Sequence, residues 1–566
     1  MNNSFSKEQE HIAYFSMEVG ISHSIPTYSG GLGILAGDTL KSFADAKLPV
    51  VGITLLNEKG YFHQHIDDEG NQCEEDVIWN PHEKLTLEPN KIIVHIETRP
   101  VTIQAWKHII YSNQGHSIPV YFLDTNLPEN NDYDKTLTSY LYGGDRRYRL
   151  CQEIILGIGG TRMLASLGYH NIKKYHMNEG HAALLTIELL KNVYENNIDA
   201  VRKKCVFTTH TPVAAGHDRF EIDLFKNVIG SNHLTPQIEE KISQEGKINM
   251  TLLGLHLSGH VNGVAKKHGE VTKHMFPGHQ IDAITNGVHP VTWASEHTKK
   301  LFDKHIPEWR NDPYSLRNAL SIPSEEIEQT HENAKKELIE RVNLETGENF
   351  DHRRFTIGFA RRFTAYKRPD LMLFDIARLK AIAAEVGDIQ IIFAGKAHKQ
   401  DYQGKEIIKR VWNLAKQINA ENGKIKIVFM RHYDMLLAKM MVSGCDVWLN
   451  NPQRPYEASG TSGMKAAING VPQISTLDGW WLEGHVEDVT GWRIGPTPGQ
   501  AGFDNDYSPD DEAEDLYRKL KEKIIPTYYG NKHEWNKIMK HCIAINGSFF
   551  NSYRMVQQYI ATTYRD

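Results

Sequence analysis

Short apolar runs, many of them β-branched or aromatic, alternate along the chain with longer stretches of helical period. In the first half, the runs at 11–19, 49–57, 118–124, 174–178, 205–210 and 280–285 predict strands. In the second half, the runs at 355–360, 389–394, 424–430, 446–449 and 472–476 do the same. Helical segments such as 182–194 and 371–385 separate several of them. Alternation on this scale predicts an α/β protein with parallel sheets covered on both faces. The segment 93–110 nearly alternates Thr, Val and Ile around Arg99-Pro100, which predicts a hairpin. A break between two α/β halves is expected near 286–290, giving domains 1–286 and 287–566. A helix around 324–344 leads into the second sheet, and the closing helix is free to pack back on the first domain.

The chain has 566 residues, too many for one ordinary core. Its net charge of −6 excludes a whole-chain basic footprint for nucleic acid. The five cysteines (Cys73, Cys151, Cys205, Cys445, Cys542) are odd in number, scattered, and form no C-x-x-C pair. That fits reduced thiols better than a disulfide framework or a zinc site. The polar start MNNSFSKEQEH has no apolar core of a signal peptide, and no run reaches the ~18 apolar residues of a membrane span. A cytoplasmic protein without membrane or nucleic-acid partners is expected. The irregular stretch 496–515 ends in an acidic run (Asp510, Asp511, Glu512, Glu514, Asp515), which reads as a water-facing loop entering a helix rather than a metal site.

Candidate chemistry sits mainly in the second half. The segment EASGTSGMKAAINGVPQISTLDGWWLE, 457–483, opens with a Ser/Gly/Thr-rich loop and runs into a helix-forming stretch containing Lys465. Glycines let the backbone approach an anion, and a helix start favours a phosphate. A glycine-rich turn with a surface lysine has the same composition, and the spacing is not that of a P-loop. The second segment, GFARRFTAYKR, follows an apolar strand and sets Arg361, Arg362, Lys367 and Arg368 at its carboxyl end. Such cations suit phosphate oxygens, although a solvated basic loop would read alike. Two such segments in one half-chain suggest two phosphates or a diphosphate. The first half adds Ser29-Gly30-Gly31-Leu32-Gly33 before a helix, and two strand-end clusters, Asn178-Glu179-Gly180-His181 and Thr208-Thr209-His210-Thr211. Hydroxyl-rich ligands need fixed donors and acceptors of this kind.

These motifs resemble those of the glycogen and maltodextrin phosphorylases, most closely their shorter bacterial and archaeal branch. The resemblance covers about the whole chain: YFSMEVG, SGGLGILAGD, INMTLLGLHLSGHVNGVAKKH, TNGV, RRFTAYKR, GKA and EASGTSGMK occur in order. It implies a GT-B fold, two Rossmann-like domains with the site in the cleft between them. It also implies pyridoxal phosphate as a Schiff base on Lys465, used through its phosphate. The activity implied is retaining phosphorolysis of an α-1,4-glucan by inorganic phosphate, giving α-glucose 1-phosphate. Arg362 and Lys367 resemble the substrate-phosphate ligands. Arg361, Thr461, Ser462, Tyr433 and Gly31 resemble the cofactor's neighbours. Gly30, Leu32, His210, Asn286, Glu457, Ser459 and Gly460 resemble the residues that meet the glucosyl unit. No metal is implied, and the longer relatives suggest a homodimer.

The chain departs from the longer enzymes at Ser462-Gly463, where they have Gly-Asn, at Glu179, where they have Asp, and at Asp434, where they have Arg. The long N-terminal extension that carries phosphorylation and nucleotide regulation in the animal enzymes is not expected here, nor is allosteric control of that kind. A nucleotide-sugar glucosyltransferase would share the fold, a Gly-Gly-Leu-Gly loop and an Arg/Lys pair, but would not need Lys465. A non-catalytic glucan-binding protein would need none of Lys465, Arg362 and Lys367.

Overall fold

The computed structural model describes residues 6–213, 216–230, 233–504 and 508–565. The chain divides into two compact units. One comprises Met1–Phe62, Asp76–Thr285 and Ser552–Asp566, and the other His63–Glu75 and Asn286–Asn551.

The first unit is built on strands β1 (His11–Ser16), β2 (Val50–Leu55), β3 (Thr86–Ile96), β4 (Arg99–Tyr111), β5 (Ser117–Asp124), β6 (Ile172–Asn178), β7 (Cys205–Thr208), β8 (His260–Gly263) and β9 (Asp282–Ala283). They form one sheet in the order β9-β8-β7-β6-β1-β2-β5-β4-β3. Pairing is parallel from β9 to β5 and antiparallel from β5 to β3. The apolar run of β1 is buried on both faces: Ala13 and Phe15 join one core cluster, Ile12 and Tyr14 the other. That is the physical reason it reads as a continuous apolar stretch rather than an alternation. The expected hairpin is longer than its sequence pattern, spanning β3 and β4, and turns at Glu97 and Thr98 with φ of 51° and 68°.

The C-terminal helix Ser552–Thr562 packs on the second of these clusters through Met555, Val556 and Tyr559. Polar ties fix its register. Ser552 and Ser42 share a hydrogen bond at 2.6 Å, and Arg554 donates to the Thr285 carbonyl, also at 2.6 Å.

The second unit holds β10 (Phe355–Ala360), β11 (Ile389–Ala394), β12 (Ile425–Met430), β13 (Val447–Asn450), β14 (Gln473–Thr476) and β15 (Gly491–Ile494). They form an all-parallel sheet in the order β12-β11-β10-β13-β14-β15. β15 has no counterpart among the predicted strands. The hairpin His63–Ile66 with Gln72–Glu75 docks on the carboxyl ends of β11 and β12: Gln64 donates to the Gly395 carbonyl at 2.8 Å and Gln72 to that of Ala397 at 3.0 Å.

Other differences from the sequence pattern have local causes. The predicted helix 182–194 is a 3-10 turn, one short α-helix and a π-turn in succession. The acidic run does open a helix, Pro509–Lys519, capped by Ser508. Glu512, however, is 1% exposed rather than water-facing, because two arginines reach it.

A buried ion pair ties the long helix Ser324–Thr346 to the sheet. Asp446, fully buried, takes the Lys335 ammonium, His331 Nε2 at 2.9 Å and the Thr356 amide at 2.7 Å. Asp446→Asn keeps the shape but leaves the ammonium facing a neutral amide. We expect a destabilisation of about 3–5 kcal/mol, the usual cost of breaking a buried pair from one side. A urea melt checks it, and an unchanged midpoint would refute the pair's role.

Candidate active site

The carboxyl ends of β10, β13 and β14 set the geometry. After Ala360 the chain turns, and the Arg361 and Phe363 amides donate to the carbonyls of Ala394 and Lys396 at 3.2 and 3.0 Å. A 3-10 turn, Ala365–Lys367, then brings Lys367 back beside Arg361. Both cations converge on Glu457: Lys367 Nζ donates to Oε2 at 2.6 Å, and the Arg361 guanidinium pairs with the same oxygen. The three side chains are only 9–10% exposed. Burial alone would raise the Glu457 pKa, but the Arg361 and Lys367 charges outweigh it and hold the carboxyl at about 2.

Behind Glu457 stands Asp478. Its Oδ2 accepts from the Glu457 amide at 2.8 Å and its Oδ1 from the Gly479 amide at 2.9 Å. Burial, reinforced by the Glu457 charge, pushes Asp478 up to about 7 despite those amides and Lys367. The Trp480 amide donates to the Ser459 carbonyl at 2.9 Å, so the loop carrying Glu457 and Ser459 is locked to the end of β14.

Gly460 has φ of +85°, a left-handed conformation that suits glycine, and it starts the helix Thr461–Ile468. No side chain caps this helix, and its first turn holds no acidic residue. Gly463 lies so close to β14 that a Cβ there would sit 1.5 Å from Gln473 Oε1. Ser462 Oγ accepts from Trp448 Nε1 at 3.0 Å and Asn450 Nδ2 at 3.4 Å, while Asn450 Oδ1 accepts from Arg361 at 3.0 Å. This relay joins Arg361 to the turn that precedes Lys465. Lys465 itself is 7% exposed, with Nζ 3.8 Å from the centroid of the Trp293 ring.

Arg362 is exposed. Burial would raise the Tyr366 phenol pKa, but the charges of Lys367 and Arg362 outweigh burial and lower it. Tyr433 is half-buried against the cluster of Leu338, Met430 and Trp448. Asp434 caps the helix Met435–Gly444, its Oδ1 accepting from the Leu437 amide at 2.8 Å. Asn286 belongs to this unit and is buried.

In the first unit, Gly30 and Gly31 stand at the start of the helix Gly31–Asp45, with Gly31 exposed and Leu32 half-buried. Glu18, 2% exposed, accepts from the amides of Ser29 and Gly30 at 2.5 and 3.3 Å and from Tyr142 Oη at 2.8 Å. Burial raises its pKa, opposed by these donors. At the end of β6, Glu179 has φ of +76°, uncommon for a residue with a side chain. Its Oε2 accepts from the His210 amide at 2.7 Å and Thr211 Oγ1 at 3.1 Å. His210 Nε2 lies 2.6 Å from Asn178 Oδ1, so Nε2 carries the proton. Burial first, and the neighbouring imidazoles second, lower its pKa to about 3.

A family profile described as carbohydrate phosphorylase matches residues 232–489, which include the Arg361 turn and the Lys465 helix. The chain is 40% identical to a maltodextrin phosphorylase from Thermococcus litoralis, across all of this chain and 71% of that protein. It belongs to the carbohydrate phosphorylase family. It is also 35% identical to glycogen phosphorylases of Mycobacterium tuberculosis and Aquifex aeolicus, over 98% of this chain and 70% and 86% of theirs.

Several residues around the candidate site of this phosphorylase escape sequence reasoning. Trp293, Asn450 and Asp478 carry no spacing rule that links them to Lys465, Arg361 or Glu457. Glu18 lies within YFSMEVG, yet nothing local points it at Ser29 and Gly30. Helix-start glycines and strand-end cations were the legible signals.

Asp478 gives a pH prediction. An acid whose folded pKa is raised from 3.8 to about 7 binds more protons in the folded state across that interval. Its contribution to stability therefore falls as pH rises from about 4 to 7. Asp478→Asn should flatten that part of the stability–pH profile in thermal melts, whatever its absolute stability. An unaltered slope would contradict the assignment.

Proposed function

We propose that this phosphorylase cleaves the terminal α-1,4-glucosyl unit of glycogen or maltodextrin with inorganic phosphate, reversibly and with retention, giving α-glucose 1-phosphate. The observation that carries this is Lys465: buried, set on an uncapped helix start, and tied through Ser462 and Asn450 to the Arg361–Lys367 turn. The GT-B organisation, a cytoplasmic setting and a homodimer belong to the same proposal.

The residues present fit pyridoxal phosphate. Lys465 is its attachment point, beside the face of Trp293. The uncapped start of Thr461–Ile468 suits an anion, and Ser462 Oγ, already accepting two N–H groups, keeps its own proton to donate. Arg361, Thr461, Tyr433 and Gly31 complete the cofactor's neighbours. Among the described residues nothing lies within 4 Å of where a Cβ on Gly30 or Gly31 would sit, so a ligand can approach that backbone closely. When bound, the cofactor supplies a second phosphate that exchanges a proton with the substrate phosphate.

We assign Arg362 and Lys367 to the substrate phosphate. Two anions about 4 Å apart repel by roughly 4 kcal/mol at an effective dielectric of 20, so cations are required around them. The substrate phosphate gives a proton to the glycosidic oxygen as the C1–O bond breaks, and its own oxygen then takes C1 from the same face. Glu457, kept ionised by Arg361 and Lys367, accepts from glucose hydroxyls, and Ser459, Gly460, Asn286, His210, Gly30 and Leu32 line the glucosyl unit. Holding and orienting these groups carries the catalysis, and a glycosidase-type carboxylate pair is not needed.

Lys465→Ala should abolish phosphorolysis of maltodextrin while leaving a folded protein by circular dichroism, and borohydride should trap a phosphopyridoxyl group on wild-type Lys465. Substantial turnover of the variant would overturn the assignment. Arg362→Ala should raise the phosphate KM by ~100-fold or more, the scale of a lost charge-assisted contact of about 3 kcal/mol. An unchanged phosphate dependence would remove Arg362 from the site.

A further inference from the structure

The two loops that carry the assigned phosphate and glucosyl contacts are pinned together outside the site by one buried carboxylate. Glu512, on the helix Pro509–Lys519, is 1% exposed. Its Oε2 is 2.5 Å from Arg368 Nη1, and its Oε1 is 2.9 Å from Arg454 Nη2. Arg368 is the residue after Lys367, and Arg454 lies three residues before Glu457. One carboxylate thus grips the far end of each loop.

The remaining contacts make the pairing directional. Arg368 is held at φ of +47°, with Nε donating to the Asn451 carbonyl at 2.8 Å and Nη2 to that of Pro452 at 3.1 Å. Asn451 Nδ2 answers by donating to the Arg368 carbonyl at 2.6 Å, and the Gln453 amide donates to that of Tyr366 at 2.7 Å. These bonds fix 366–368 against 451–453. Without a counter-anion, two guanidinium groups meeting at the same buried point would repel and part the loops.

We propose that Glu512 is a positioning residue for phosphorolysis, setting through Arg368 and Arg454 the distance between Lys367 and Glu457. This rests on the assignment of Lys367 to the substrate phosphate. A carboxylate in this role acts on phosphate binding more than on the distal glucan, because Lys367 is one residue from the clamp.

Steady-state kinetics of Glu512→Gln, varying phosphate and maltodextrin separately, tests it. The expected result is a rise of roughly tenfold in phosphate KM with glucan KM changed less than about twofold, as for loss of a supporting contact to a ligand-binding group. Glu512→Asp, which restores the charge, should recover part of that rise. Equal changes in both KM values, or none, would overturn the proposal, since a merely structural residue moves both together or neither. If Glu512→Gln does not fold, Arg454→Met, which removes the charge that Nη2 presents to Glu512 Oε1, reads the same split. Failure of the wild type to release glucose 1-phosphate would instead refute the phosphorylase activity itself.

Discussion

A single carboxylate oxygen, Glu457 Oε2, meets both Arg361 and Lys367 in a pocket where all three side chains are about nine-tenths buried. Two cations could not share that space alone: repulsion in a partly desolvated site would drive the turn after β10 apart. One carboxylate between them leaves a net positive charge without separating them. The turn and the Ser/Gly loop therefore come together with a surplus of positive charge, as the proposed phosphate site requires. Neutralising both cations would have removed that surplus. Leaving both unpaired would have removed its shape.

That arrangement makes demands on its surroundings. Glu457 can serve as an anchor only if its backbone is fixed, and Asp478 fixes it from the end of β14 through two amide bonds. Because Asp478 sits beside an ionised neighbour in a dry place, it carries its charge reluctantly near neutral pH. Two carboxylates lie close together with their proton affinities pushed apart: one is held ionised by direct cations, the other raised by burial and by that first charge. The parallel sheet is what delivers all of these groups to one edge, since β10, β13 and β14 end on the same side and each hands its loop to the site.

The sheets were legible because buried parallel strands are continuous apolar runs, and β10 and β11 have the predicted limits. β15 was not, because Gly491–Ile494 is short and mixed in composition. The cation turn and the Lys465 segment were legible as types, from charge at a strand end and glycine before a helix. Their partners were not: Asn450 and Trp293 act across the fold, and no local pattern distinguishes a buried bridging amide from a surface one. Glu512 is the sharpest instance. In sequence it is one of five acidic residues in a loop-like stretch, and nothing there separates it from Asp510 or Asp511. Only the fold, by bringing Arg368 and Arg454 to the same helix, turns Glu512 inward between two guanidinium groups.

Packing in this chain requires glycine at 463. A side chain at 463 would collide with Gln473, whose oxygen lies 1.5 Å from where the Cβ would be. Glycine there lets the helix settle on β14, and Trp480 also lies 2.9 Å from the same point. The Ser462 hydroxyl accepts from Trp448 and Asn450, and Asn450 passes the contact to Arg361. Close packing of the helix is obtained at 463, the hydrogen-bond link to the cation turn runs through 462, and Lys465 stands on the helix that both of them position.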